Sequence, residues 1–195
     1  MDNCFSKYDF FFIVCEGTSE SNIINWLERE NHFFTDVSNL NFKYLVSGRR
    51  ECGKLSLVEE ISSTDTENKV AILYVHDSKN EELFGKKSKA YRFIKRFGLN
   101  IPVINVLTHP EIEILLILKE PKLKQKWMGK KLKHKPSELC SEFYKTDVKR
   151  ENFFIEQFSS LNEFISICKQ YKEQSKLPNK EDTVVLYDII NANTR

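Results

Sequence analysis

Two unbroken apolar runs in this chain each end in a carboxylate. Phe10-Phe11-Phe12-Ile13-Val14-Cys15 leads at once into Glu16-Gly17-Thr18-Ser19-Glu20, and Val70-Ala71-Ile72-Leu73-Tyr74-Val75 leads into His76-Asp77. Short apolar runs bounded by turn residues read as buried strands. In open parallel sheets, ligands bind outside the carboxyl ends of the strands, which is where Glu16 and Asp77 would stand. Oxygen ligands gathered there suit Mg²⁺, which keeps several waters and takes one or two carboxylates plus substrate phosphates. Glu16 reads as a metal ligand or general acid/base, or as a residue complementing the dipole of the next helix. Asp77 reads as a second metal ligand, or as a loop Asp in an Asx turn with Lys79 or Asn80.

A third carboxylate, Glu113, lies within Pro110-Glu111-Ile112-Glu113-Ile114-Leu115-Leu116-Ile117-Leu118. A charge in so apolar a helix is costly unless paired or metal-bound. The bland explanation is an ion pair with Arg92 or Lys145, with Glu111 as the exposed acid at the helix start. His109 reads as a base, a phosphate contact or a structural histidine.

Cations surround these positions in the sequence. Lys79 follows Asp77 by two residues and would suit a phosphate as a point charge. Lys86, Lys87 and Arg92 belong to a basic helix after Asp77, and Arg49 and Arg50 to the loop after the second strand. A Lys-rich stretch from Lys119 to Lys135, including Lys130 and Lys131, surrounds Trp127. Lysines neutralise phosphates and an aromatic ring stacks on a base; a solvated Lys-rich face has the same composition.

The elements that would position these groups alternate. Helix is expected from Glu20 to Glu30, capped by Thr18 or Ser19, with Ile23, Ile24, Trp26 and Leu27 on its apolar side. A strand follows at 42–46, a short helix at 55–61, the strand at 70–75, and a helix from about Glu81 to Arg96. Tyr91, Phe93, Ile94 and Phe97 are that helix's buried candidates, and Gly98 its stop. A fourth strand spans 101–107, and Thr108-His109-Pro110 leads a helix from Glu111 to Leu118 with Pro at its first position. Further helices are expected at 137–144 and 152–170, and 183–190 fits strand and helix equally. The order predicts an α/β domain with a mainly parallel sheet of about four strands flanked by helices. Residues 1–120 form that core; 121–195 are a Lys-rich linker and a helical C-terminal extension packed on the same domain.

Taken in order, Glu16, Asp77 and Glu113 resemble the pattern of the TOPRIM fold, within its RloB-like and OLD-type nuclease branch. The strand ending Val14-Cys15-Glu16-Gly17 is similar to that family's Cys-Glu-Gly. The strand ending at Asp77 is similar to one that ends in Asp-x-Asp, and 108–118 to a Ser-Asn-Pro-x-Phe-Glu-Leu-Trp-Leu-Leu-Leu helix, with Glu113 on the motif's Glu. Tyr144-Lys145 matches a later Tyr-x-Lys-like element. The resemblance covers roughly residues 8–150. It departs at Asp77-Ser78-Lys79, where a cation replaces the second carboxylate, and at His109, which replaces Asn. It implies a Mg²⁺- or Mn²⁺-dependent nuclease cleaving DNA or RNA, tRNA included. Glu16 would be base or metal ligand, Asp77 a metal ligand, Glu113 the residue completing the site, and Lys79, Arg49 or Arg92 would offset phosphate charge. It further implies prokaryotic antiviral or restriction defence beside a separate ATPase partner, and leaves a homo-oligomer open. The alternative is a catalytically degenerate TOPRIM scaffold that binds nucleic acid or a partner protein as an adaptor. A plain α/β interaction module with structural carboxylates is the third reading.

Composition narrows the field. In 195 residues the formal net charge is only +2, so any basic surface must be local. The five cysteines form no CxxC pair, which argues against a disulfide framework or zinc ribbon and fits a reducing cytosol. The four histidines lack zinc spacing. No GxGxxG, GxxxxGK[ST] or GxSxG motif is present. The opening residues carry no basic n-region and no apolar run reaches membrane-spanning length, so a cytoplasmic protein without membrane contact is expected.

Overall fold

The computed structural model of the chain describes residues 4–8, 10–30, 32, 41–45, 55–63, 69–77, 82–130, 134–150, 152–175 and 183–190. Five strands form one sheet: β1 (Phe10–Cys15), β2 (Asn41–Leu45), β3 (Val70–His76), β4 (Val103–Leu107) and β5 (Thr183–Val185). Every pairing is parallel and the spatial order is β2-β1-β3-β4-β5. The four expected strands are all present in an α/β fold. The fifth comes from the segment that fitted both states: its first three residues pair with β4, and the next four turn into the one-turn helix α9 (Leu186–Ile189).

Both faces of the sheet are covered, so β1 and β3 are apolar without alternation. Phe11, Ile13, Cys15, Ala71, Leu73 and Val75 pack with Ile23, Ile24 and Leu27 of α1 (Thr18–Arg29). Phe12, Val14, Ile72 and Tyr74 pack with Leu57 and Ile61 of α2 (Leu55–Ser63). The helix after β3, α3 (Lys89–Phe97), lies beside α2.

The chain beyond residue 120 shares the first of these cores. It contributes α5 (Pro121–Lys130), α6 (Pro136–Tyr144), α7 (Phe153–Glu156) and α8 (Leu161–Gln174), which pack with α4 (Ile114–Lys119) and α1. Leu123, Leu139, Phe154, Phe164 and Tyr171 are buried in the same cluster as Phe11 and Ile23. Residues 121–130 are helix because Pro121 sits at the first position and Leu123 and Trp127, four apart, make one inward stripe. Lys122 and Lys126 are exposed outside it.

Three helix starts differ from the sequence reading. Gly17, not Thr18 or Ser19, is the N-cap of α1, with no side-chain cap. The Ser88 hydroxyl accepts the Tyr91 amide at 3.0 Å and starts α3 eight residues later than Glu81. Residues 109–113 form turns around a cis His109–Pro110 bond, so α4 begins at Ile114 and Pro110 is not its first residue. On α3 only Ala90 is fully buried, and Phe97, expected inside, is 57% exposed. Residues 89–97 belong to neither apolar cluster of the described residues, and Phe97 lies on the last turn of α3.

Candidate active site

A parallel sheet in this order reverses direction between β1 and β3, and the crevice at their carboxyl ends is where such sheets bind ligands. Cys15 lies level with Val75, and His76 with Leu107. The ladder runs one residue further: the Glu16 amide donates to the Val75 carbonyl and the Thr108 amide to the His76 carbonyl, both at 2.9 Å. Glu16, Asp77 and Thr108 therefore leave the sheet side by side. The Asp77 amide donates to Glu16 Oε2 at 3.3 Å, so two of the residues singled out by sequence meet directly.

His109 joins them. Its Nδ1 is 3.1 Å from the Asp77 carbonyl. A carbonyl only accepts, so Nδ1 carries the proton in this contact. The Tyr171 hydroxyl, from α8, donates to the His109 carbonyl at 2.6 Å. A hydrogen-bonded path thus runs from the C-terminal helices through His109 and Asp77 to Glu16.

Sequence reasoning passed over Glu20. It sits in the first turn of α1, which ordinarily means an exposed acid serving the dipole, yet it is only 8% exposed. Burial pushes its carboxyl up to about 7; its own backbone amide works against that, and the charges of Glu113, Glu16 and Asp77 add to it. Gly17 makes the space: a Cβ there would stand 2.6 Å from Glu20 Oε2. A signal was present in the sequence. Glu20 precedes Ile23, Ile24 and Leu27 by three, four and seven residues, the spacing of one helix face, so it belongs to the buried stripe of α1.

Glu113, at the N-cap of α4, is 2% exposed. Burial raises its carboxyl; Lys149 lowers it, and Glu111 and Asp77 raise it further. The cation acting on it is therefore Lys149, not Arg92 or Lys145. Glu111 is buried as well, and its role is structural. Its Oε2 accepts the Ser137 amide at 2.8 Å in the first turn of α6, and Oε1 lies 3.8 Å from Lys149 Nζ. An anion at a helix start is favourable, so Glu111 ties the turn before α4 to α6.

The basic candidates are placed unevenly. Lys86, Lys87 and Arg92 are exposed before and on α3. Trp127 is half-buried against the main core, which leaves only part of its ring for a ligand. Lys130 ends α5, and nothing is described of its side chain. Lys79, Arg49, Arg50 and Lys131 lie outside the described residues.

Glu16, Glu20, Asp77 and Glu113 offer hard oxygen donors, and repulsion among them is the condition a hard divalent cation would relieve. Their chemistry fits Mg²⁺ or Mn²⁺. Among the described residues, no three His, Cys, Asp or Glu side chains are already arranged to hold a metal ion. No described helix is long and apolar enough to cross a membrane. Comparison with protein-family models, curated proteins and solved structures gave no match. The TOPRIM resemblance therefore rests on the motifs in the chain.

Proposed function

We propose that the chain is a nuclease, a divalent-cation-dependent phosphodiesterase acting on DNA or RNA. The observation that carries this reading is the gathering of Glu16, Glu20, Asp77 and Glu113 at the reversal point of the sheet, where burial and mutual charge hold Glu20 near 7. Glu16 and Asp77 would hold the cation, with Glu20 beside them. Mg²⁺ or Mn²⁺, when bound, would polarise a phosphoryl oxygen and activate water. Glu20, raised to about 7, holds its proton only in part at neutral pH, and a bound cation would favour its carboxylate form. His109 fixes the Asp77 main chain, and Tyr171 fixes His109. Lys86 and Lys87, in the turns that lead from the carboxyl end of β3 to α3, supply positive charge for the nucleic acid. The family resemblance extends the reading to prokaryotic antiviral or restriction defence, beside a separate ATPase.

A second reading has its own support. Lys79 replaces the second carboxylate of the Asp-x-Asp, and the described carboxylates do not already form a metal-holding trio. Both favour a degenerate scaffold that binds nucleic acid or a protein partner without cutting. One experiment separates them: incubate the protein with single- and double-stranded DNA and RNA, tRNA included, with Mg²⁺ or Mn²⁺, beside Glu16→Ala and Asp77→Ala. Metal-dependent cleavage lost in both variants supports the nuclease. An intact substrate, with no metal-dependent rise in melting temperature for the wild type, supports the scaffold.

A further inference from the structure

We infer that α3 and the turn before it form a binding track for single-stranded nucleic acid, with Phe97 as a base-stacking ring. The inference rests on the reading of the acidic site as one that processes nucleic acid, and narrows its substrate to single strands.

From residue 86 to 97 the sequence is Lys-Lys-Ser-Lys-Ala-Tyr-Arg-Phe-Ile-Lys-Arg-Phe, six cations and no acid. All six cationic residues are exposed. Such a run alone is an ordinary solvated face. The aromatic residues make it different. Phe97 is 57% exposed, one of two large apolar side chains left in solvent among the described residues. Its ring packs at 4.4 Å on Phe93, and the Arg96 guanidinium lies 5.6 Å from its centroid. Lys95 lies 5.9 Å from the Tyr91 ring. Cations interleaved with an accessible ring are the two parts of a single-strand platform: charge follows the phosphates and the ring takes a base face.

The helix presents them rigidly. Ser88 caps its start, and Gly98 ends it at φ 62°, a left-handed conformation that suits glycine. Nine residues at 1.5 Å each make a track of roughly 13 Å, on the helix that follows β3 and Asp77 in the chain. A lipid surface fits less well. Ala90 is buried and Tyr91, Phe93 and Ile94 are half-buried against the protein, so the apolar side of α3 is committed and one ring remains. Duplex DNA offers phosphates but keeps its base faces stacked, so Phe97 would contribute nothing to it.

The test is fluorescence anisotropy in EDTA with the full chain and labelled dT20, U20 and a 20-base-pair DNA duplex, plus sedimentation with phosphatidylglycerol/phosphatidylcholine vesicles. Arg92→Glu/Arg96→Glu should weaken binding of both single strands at least tenfold. Phe97→Ala should weaken it severalfold, leave duplex binding unchanged, and leave the salt dependence as in wild type, since no phosphate contact is lost. Circular dichroism checks that each variant is folded; the changed side chains are exposed. Equal binding by wild type and both variants overturns the inference, as does duplex binding as tight as single-strand binding, or vesicle binding lost in the same variants. Because EDTA excludes metal-dependent cleavage, the outcomes separate. Variant-sensitive binding without cleavage in Mg²⁺ refutes the nuclease and keeps the track. Cleavage with variant-insensitive binding refutes the track and keeps the nuclease.

Discussion

Replacing Glu20 by Gln tests whether the acidic end of the sheet is strained by its own charge. The carboxyl rises from an ordinary 4.5 to about 7 because the folded chain buries it among Glu113, Glu16 and Asp77. At about 1.4 kcal/mol per tenfold change in proton affinity, the ionised form destabilises the fold by about 3 kcal/mol. The sign follows from proton counting. Between pH 4.5 and 7 the folded state holds a proton at Glu20 that the unfolded state has released, so stability falls as pH rises. Below 4.5 the penalty is absent, and above 7 it is complete. Glu113, also raised, acts in the same direction, while Glu163, lowered chiefly by its hydrogen bond from the Ser159 amide, acts in the opposite one. The wild-type curve mixes these effects; the difference between wild type and Glu20→Gln isolates one. At about 2–4 °C per kcal/mol for a chain of this size, the variant should gain roughly 6–12 °C on the wild type between pH 4.5 and 8. The assay is thermal unfolding across that range, with and without Mg²⁺. Mg²⁺ at pH 8 should raise the wild type more than the variant. A difference between the two proteins that is flat with pH would refute the reasoning.

Further perturbations reach the same site from its neighbours. Gly17→Ala puts a Cβ 2.6 Å from Glu20 Oε2; Gly17 is extended at φ −134° and the carboxylate can swing away, so thermal unfolding should change little near pH 5 while the pH-dependent loss above it shrinks. Tyr171→Phe removes the 2.6 Å donor to the His109 carbonyl and should cost about 1 kcal/mol in denaturant unfolding, with a larger fractional loss of cleavage than of stability. Lys149→Ala removes an exposed partner of Glu111 and should cost under about 1 kcal/mol; its clearer effect should be a further rise of the Glu113 carboxyl, read by NMR titration. Leu116→Ala opens a cavity in the main core, where Leu116 is fully buried, and should cost about 2–5 kcal/mol by urea unfolding without altering the pH dependence.

Much of this architecture is written locally, and the site only partly. The β1 and β3 runs read as strands buried on both faces because they are, and each places its carboxylate where the chain leaves the sheet. Glu16 and Asp77 were therefore legible, and so was the cost of burying Glu113. Which cation answers Glu113 was not: Lys149 is far along the chain, and it comes near because Glu111 anchors α6 through Ser137. The extent of α3 misled for a local reason, since Ser88 offers a cap inside a run of otherwise good helix formers. Phe97 misled for a tertiary one: it occurs at helical spacing from Phe93, but none of the aromatic residues of α3 joins either apolar cluster of the described residues.

Glu20 is the most instructive residue because its sequence context supported two incompatible rules. In a first turn, an acid complements the helix dipole and belongs in water. On the stripe with Ile23, Ile24 and Leu27, it belongs inside. A helix whose first turn meets solvent would satisfy the first rule at no cost. Here α1 starts two residues after Glu16, where the chain leaves β1, and Gly17 gives the carboxylate room to fold back, so the second rule holds and Glu20 is driven into the company of Glu16, Asp77 and Glu113. Evolution toward stability alone would replace such a residue with Gln or Leu at little structural cost. Its presence on an otherwise apolar helix face is the strongest reason to look for a positive ligand at this end of the sheet, and the Mg²⁺ response of wild type against Glu20→Gln decides whether one binds.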